Sequence, residues 1–218
     1  MLLASSIIFS VESLCRIAVT SVQTFFDSMA KFTSLPRPTE MAHRLLRERL
    51  KPGDQAIDAT VGNGHDTLFL AEQVGPEGHV YGFDVQESAI EKTRQRTAGL
   101  TNITLRCLSH ELLDESVSDP VSAITFNLGY LPGGDKSITT KPETTLVALR
   151  NSVKILKEGG LLTIVAYIGH EGGLGESNTI ANWASSLDQS VFSVVRYEFT
   201  NQCNTPPFLI AVEKRQLL

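Results

Sequence analysis

Cysteine is scarce in this 218-residue chain: Cys15, Cys107 and Cys203 are the only three, far apart and without a CxxC pair. That excludes a disulfide framework and offers no zinc-ligand spacing, so reduced thiols and no metal are expected. An excess of positive charge is also missing, since 19 Lys and Arg face 24 Asp and Glu for a formal net charge of −5. Coating of nucleic acid by bulk electrostatics is excluded, although a local basic patch is not. Nor is there a membrane-spanning run. Glu12 and Arg16 interrupt the one apolar stretch, between Met1 and Phe26, short of the roughly 20 residues that a spanning helix needs. With 16 Gly and 9 Pro the chain is neither collagen-like nor low-complexity, and 42% hydrophobic residues suffice for a sizeable core. One large domain with an appendage fits the length better than two domains.

The appendage is residues 1–28. Ile8, Val11, Cys15, Ala18, Val22 and Phe25 recur at spacings of three and four with serines and threonines between them, which predicts one amphipathic helix. A secretory signal is not indicated, because no basic stretch precedes the apolar part. Two readings stay open: a partner or membrane-surface helix, or a helix packed on its own domain or an upstream start codon, with Met29 as the true beginning. Residues 29–218 are expected to form the functional domain, in the cytoplasm, with organellar import left open.

Residues 35–38 read as a linker, and Thr39 as the cap of a helix over 39–50 with the apolar face Met41, Ala42, Leu45, Leu46 and Leu50. Strand-like and helical patterns then alternate. Strands are predicted at 55–61, 79–85, 103–107, 121–128 and 161–168, and helices at 66–74, 87–98, 111–116, 143–156 and 176–187. The runs 191–200 and 208–213 follow with only a polar, proline-containing loop between them, so they form a hairpin and the last strand is antiparallel to its neighbour. The expected architecture is α/β: a doubly wound, mostly parallel, seven-stranded sheet with helices on both faces and a C-terminal antiparallel hairpin. It resembles the Rossmann-like class I methyltransferase fold, and the hairpin is what separates it from a plain dinucleotide-binding domain.

The first strand runs into Asp58-Ala59-Thr60-Val61-Gly62-Asn63-Gly64-His65-Asp66, an acidic residue and a two-glycine turn opening a helix. Glycines allow close approach and positive φ, and the helix start offers unpaired N–H groups. Gly62, Asn63, Gly64, His65, Asp66 and Thr67 are therefore expected to cradle a nucleoside cofactor. Asp84, some 20 residues beyond the glycines and followed by Gln86, is placed to hold a ribose diol. A third spaced glycine is missing from the pyrophosphate fingerprint, and Asp66 would repel a pyrophosphate. The acidic rim suits S-adenosylmethionine, with Asp58 near its ammonium or sulfonium, and NAD is the alternative. After the third strand, Ser109 and His110 either contact the adenine or cap the next helix.

The fourth strand ends in Phe126-Asn127-Leu128-Gly129-Tyr130-Leu131-Pro132-Gly133-Gly134-Asp135-Lys136. Asn127-Leu128-Gly129-Tyr130 is similar to the NPPY signature of amine-modifying methyltransferases, with Leu128 and Gly129 in place of the prolines. Asn127 has the inventory to accept a hydrogen bond from an amine and aim its lone pair, and Tyr130 has a ring to stack on the target. His170, in a glycine loop after the fifth strand, is either a structural hydrogen-bonder or, with solvent as the other candidate, the acceptor of the amine proton. Gly129, Lys136, Lys141, Asn201 and Asn204 complete the expected substrate-binding set. Arg44, Arg47, Arg49, Lys51, Arg150, Lys154 and Lys157 either join Lys136 and Lys141 in a phosphate-binding face or are solvated helix charges. Cys203 lacks the adjacent base of a nucleophile.

DATVGNGHDTLFLA, GFD, FNLGYLPGGDK, TTKPETT, YIGHEGG and NQCNTPPFLIAVEK together resemble the bacterial and plant tRNA 5-aminomethyl-2-thiouridine methyltransferases, a family earlier described as rRNA methylases. The resemblance runs in matching order over residues 36–214 and leaves the first 28 residues outside it. It implies an S-adenosylmethionine-dependent enzyme that methylates the aminomethyl nitrogen of the wobble uridine, with the tRNA anticodon region as partner. A homodimer stays open. A methyltransferase acting on other RNA, on a protein or on a small-molecule amine is the competing function, and a passive nucleotide-binding module is disfavoured by three polar loops gathered at one sheet edge.

Overall fold

The computed structural model describes residues 35–117, 119–169, 172–203 and 205–216. The expected N-terminal helix, His170 and Asn204 lie outside these residues. Helix α1 is Pro38–Arg49. Pro38 takes the first helical position, where its missing N–H would have had no partner anyway, so Thr39 sits inside the first turn instead of capping it. Then follow β1 (Gln55–Asp58), α2 (His65–Val74), β2 (His79–Asp84), α3 (Glu87–Arg96), β3 (Ile103–Cys107), a 3₁₀ turn (His110–Leu112), α4 (Leu113–Ser116) and β4 (Val121–Leu128). The chain continues through α5 (Pro142–Ile155), β5 (Leu156–Ala166), α6 (Gly173–Ser185), β6 (Phe192–Tyr197) and β7 (Phe208–Lys214).

The seven strands form one sheet in the order β3-β2-β1-β4-β5-β7-β6. β1 to β5 are mutually parallel, and β7 runs antiparallel to both β5 and β6. The expected hairpin is present, with its second strand inserted beside β5. β5 begins five residues before the position read from the sequence. Val121 pairs with Leu156 and Ala123 with Leu161, so the polar, glycine-containing segment Lys157-Glu158-Gly159-Gly160 is a bulge inside the strand.

Alternating residues along each strand feed two cores, as the period of two requires. On one face Ala56, Val80, Ala123, Leu161 and Ala211 meet Leu46 and Leu50 of α1 and Phe69, Leu70, Ala71 and Val74 of α2. On the other, Ile57, Phe83, Ile124, Phe126, Leu162, Ile164, Ile210 and Val212 pack with Ala148 and Leu149 of α5 and Ile180, Trp183 and Ala184 of α6. The alanines on the first face let α1 and α2 lie close to the sheet. Large aliphatic and aromatic residues fill the wider second gap, each fully buried side chain being worth about 1.5–3 kcal/mol. The order in which strands are added reverses between the parallel neighbours β1 and β4, the switch point outside which open α/β sheets bind ligands. Among the described residues no helix is long and apolar enough to cross a membrane.

Candidate active site

A cleft of about 1100 Å³ opens at the carboxyl ends of β1, β2, β4 and β5. That exceeds the roughly 300–1,000 Å³ of a small-molecule site, which leaves room for a cofactor and part of an acceptor. Its floor is the turn after β1. Gly62 has φ +51° and Gly64 φ +79°, both in the left-handed region that favours glycine. A Cβ on Gly64 would lie 2.9 Å from the Thr93 Cα, so this glycine lets α2 and α3 approach each other.

Asp84 ends β2 and accepts the Gly62 N–H at 3.0 Å and the Gln86 N–H at 2.9 Å, one on each carboxylate oxygen. A carboxylate offers about four acceptor positions, so lone pairs remain for a ribose diol. Burial raises the Asp84 pKa against the opposing bonds from Gln86, Gly62 and Val85. Across the cleft wall His110 is 8% exposed and packs edge-on against Phe126. Burial keeps its imidazole below the usual range despite the Ala59 backbone bond and Glu111, and its Nε2 is buried without a hydrogen-bond partner. An orphaned ring nitrogen in a wall is costly unless a ligand completes it, and an adenine supplies both donor and acceptor. Ser109 lines the same wall and also caps the 3₁₀ turn by accepting the Glu111 N–H at 3.5 Å. The capping reading holds for Ser109, and His110 brings its unpartnered nitrogen to the cleft lining. The residues present fit a nucleoside cofactor.

The acceptor end is organised by Asp66, in the first turn of α2. The Asn127 Nδ2 donates to one Asp66 oxygen, and the other accepts from His43 Nε2 at 2.7 Å. A carboxylate only accepts hydrogen bonds, so the Asn127 amide has its nitrogen toward Asp66 and keeps Oδ1 for another donor. The Asn127 N–H donates to Thr60 Oγ1 at 2.7 Å, which fixes the backbone beneath it. Burial would raise the Asp66 pKa, but the His43 bond and charge, the Asn127 amide and nearby His65 hold it below the usual range. Asp66 is thus held ionised at this end of the cleft.

Tyr130 starts the loop over this end, bridging to Thr139, while Thr140 N–H returns to the Gly129 carbonyl at 2.9 Å. The Lys136 ammonium lies 5.6 Å from the Tyr130 ring centroid. Two anchors hold the loop. Asn63 donates to the Pro132 carbonyl at 3.2 Å, and buried Glu176 of α6 accepts from Thr140 and Thr145, each at 2.7 Å.

Of the residues expected from sequence, Gly62, Asn63, His65, Asp66, Asp84, Gln86, Ser109, His110, Asn127, Gly129, Tyr130, Lys136 and Lys141 all line the cleft. Asp58, Gly64 and Thr67 stand behind its wall. Asp58 has no exposed surface; it accepts from Thr67 Oγ1 at 2.6 Å and from the Thr60 N–H at 3.2 Å. Burial first, and then the charge of Asp66, push the Asp58 pKa up to about 7. Of these two carboxylates Asp66 lines the cleft, whereas Asp58, expected near the cofactor's charge, braces the turn. Asn201 is exposed and off the cleft, whereas Thr205 and Pro207 of the same connection line it. Several of the basic residues are engaged elsewhere: Arg49 pairs with Glu213, Lys157 with Asp54, and Arg47 lies over Phe69. Spacing did not disclose that His43, Thr60 and Tyr167 line the cleft or that Glu176 anchors its loop. Among the described residues no group of three or more His, Cys, Asp or Glu could hold a metal ion.

The strand order, the reversed β7 and an acidic nucleoside cleft at the switch point define a class I, S-adenosylmethionine-dependent methyltransferase. A family model described as "Putative rRNA methylase" matches residues 80–213. The Arabidopsis thaliana chloroplastic tRNA (mnm(5)s(2)U34)-methyltransferase is 38% identical over 193 residues, 83% of this chain and 70% of that protein. A "putative rRNA-methylase" from Clostridium thermocellum is 41% identical with a TM-score of 0.81, covering 83% of this chain and 99% of that one. A "putative methyltransferase" from Streptococcus mutans, solved in complex with SAH, is also 41% identical, with a TM-score of 0.77 over 83% and 99%. The chain belongs to the methyltransferase family that its motifs resemble.

Proposed function

We propose that the chain transfers a methyl group to the aminomethyl nitrogen of 5-aminomethyl-2-thiouridine at the tRNA wobble position, giving the 5-methylaminomethyl form. The observation that carries this reading is Asn127, whose amide nitrogen is committed to Asp66 and whose oxygen is left as an acceptor in the cleft. An oxygen acceptor beside a carboxylate suits an amine or ammonium and gives a ring carbon no purchase. The name of the Arabidopsis relative supports the same substrate.

Asp84 and His110 would hold the ribose and adenine of S-adenosylmethionine, which when bound supplies an electrophilic methyl on its sulfonium. Asn127 accepts one N–H of the incoming amine and so fixes the direction of its lone pair, the positioning that makes a bimolecular transfer effectively unimolecular. Asp66 attracts the cationic form and holds the Asn127 amide in one orientation. The Tyr130 ring, 37% exposed, offers a stacking face for an unstacked base, and Lys136 and Lys141 at the mouth suit flanking phosphates. The anticodon loop, whose bases splay out, is the RNA element that such a mouth fits. The reaction runs where the chain meets tRNA, in the cytoplasm or in an organelle such as the one named for the plant relative.

The experiment is methyl transfer from labelled S-adenosylmethionine to tRNA carrying 5-aminomethyl-2-thiouridine, beside the same tRNA with an unmodified wobble uridine. Label confined to the aminomethyl tRNA is expected. Equal labelling of both, or a methyl on a ring carbon or ribose oxygen, transfers the assignment to another RNA, as the rRNA description of the family suggests.

A further inference from the structure

An alkylamine is about 99.9% ammonium at neutral pH and has no lone pair until it loses a proton, so an amine methyltransferase needs a place for that proton. Asn127 cannot take it, and Asp66 is already bonded on both oxygens. His43 of α1 is bonded to Asp66. It lines the cleft, its side chain is 29% exposed, and its ring is stacked on Phe69 at 4.0 Å between centroids and 4° between planes. Stacking and the Asp66 bond together fix the ring. With Nε2–H donated to Asp66, the neutral tautomer carries its lone pair on Nδ1.

We infer that His43 is the proton acceptor of the reaction: it takes a proton from the substrate ammonium onto Nδ1, directly or through one water, and returns it to solvent. Asp66 is the positioning residue that joins this base to Asn127. The step balances without a further reactant. An N–H bond of the ammonium breaks and an N–H bond on His43 forms. The freed lone pair then makes the new N–C bond as the methyl–sulfur bond breaks with its electron pair left on sulfur, and the product leaves as a secondary ammonium. The titratable groups about the pair are Asp66 and His65 on α2, Asp58 behind Asp66, and Tyr167 after β5; on α1, Arg47 lies across Phe69. Burial, and then the charge of Asp66, raise the Tyr167 phenol, so Tyr167 does not compete as a base near neutral pH. The inference rests on the amine-methylation reading above and adds a proton route that is independent of His170.

The test is the pH profile of kcat for the full chain and for His43→Gln, whose amide can still donate to Asp66, together with Kd for S-adenosylmethionine and mass spectrometry of the nucleoside product. For the unaltered chain, kcat should rise with pH through one ionisation to a plateau. His43→Gln should lose that ionisation and about 100-fold in kcat at pH 7, within the usual range for removing a general base. Its deficit should shrink about tenfold per pH unit toward the amine's own ionisation, with cofactor Kd within threefold. A deficit that is the same at every pH, a loss under threefold, or an ionisation that persists in His43→Gln and vanishes in His170→Gln overturns the inference. A methyl found away from the amine overturns it together with the substrate reading, and the product analysis tells the two failures apart.

Discussion

Gly64→Ala places a methyl group 2.9 Å from both the Cα and the Oγ1 of Thr93 and 3.1 Å from its Cβ. Two of those atoms are fixed by the α3 backbone, and the third donates to the Gly62 carbonyl at 3.3 Å, so none can withdraw without moving the turn or the helix. Left-handed backbone costs a non-glycine residue about 1–2 kcal/mol, and overpacking of this kind about another 1–3 kcal/mol. The sum, about 2–5 kcal/mol, corresponds to a fall in Tm of roughly 4–20 °C for a chain of this size. Gly53→Ala is the internal control: its φ is +89° and nothing lies within 4 Å of an added Cβ, so only the backbone cost applies, about 1–2 kcal/mol. Gly62→Ala, whose Cβ would stand 3.5 Å from Leu131 Cδ1, should resemble the control. Thermal and urea unfolding of the three variants measures the differences. If Gly64→Ala is no more destabilising than Gly53→Ala, the close approach of α2 to α3 does not hold in solution.

Asp84→Ala should weaken S-adenosylmethionine binding by about 10²–10⁴-fold, from two lost bonds to a charged acceptor at about 1.5–3 kcal/mol each; a calorimetric Kd within threefold of the original would remove Asp84 from the ribose site. A chain starting at Met29 should keep its turnover, because every motif-bearing residue follows that position; a large loss with cofactor affinity intact would give residues 1–28 a part in the active site.

The strand sequence was legible because both faces of the sheet are covered, which turns strands into short apolar runs such as Val121–Leu128, bounded by polar turns. The hairpin was legible for the opposite reason: too few residues separate its strands to make a parallel crossover. Cleft residues at strand ends, such as Asp84 and Asn127, followed from the fold rule alone. What spacing could not decide was which of two nearby acids lines the cleft. Asp58 and Asp66 both border the glycine turn, and the choice is made by Thr67, which encloses Asp58, and by His43, which draws Asp66 toward the acceptor. His43 itself was hidden because it sits within an amphipathic helix whose apolar stripe accounts for its neighbours, and its partner is 23 residues away. The early start of β5 was hidden by Lys157-Glu158-Gly159-Gly160, a polar, glycine-containing segment without strand pattern that is a bulge. The basic residues gave a charge pattern without its partners, and Glu213 and Asp54 answer two of them, Arg49 and Lys157.

The central claim is that Asn127, oriented by Asp66, aims an amine at the methyl donor while other residues hold the cofactor. Its most direct test is kcat and cofactor Kd measured together for Asn127→Ala with tRNA bearing 5-aminomethyl-2-thiouridine. Loss of the group that sets the attack direction should lower kcat by about 100-fold or more with Kd for S-adenosylmethionine within threefold. A kcat within threefold of the original, or a rise in Kd that matches the fall in kcat, would show that Asn127 serves the cofactor or the fold and that the amine is aimed by something else.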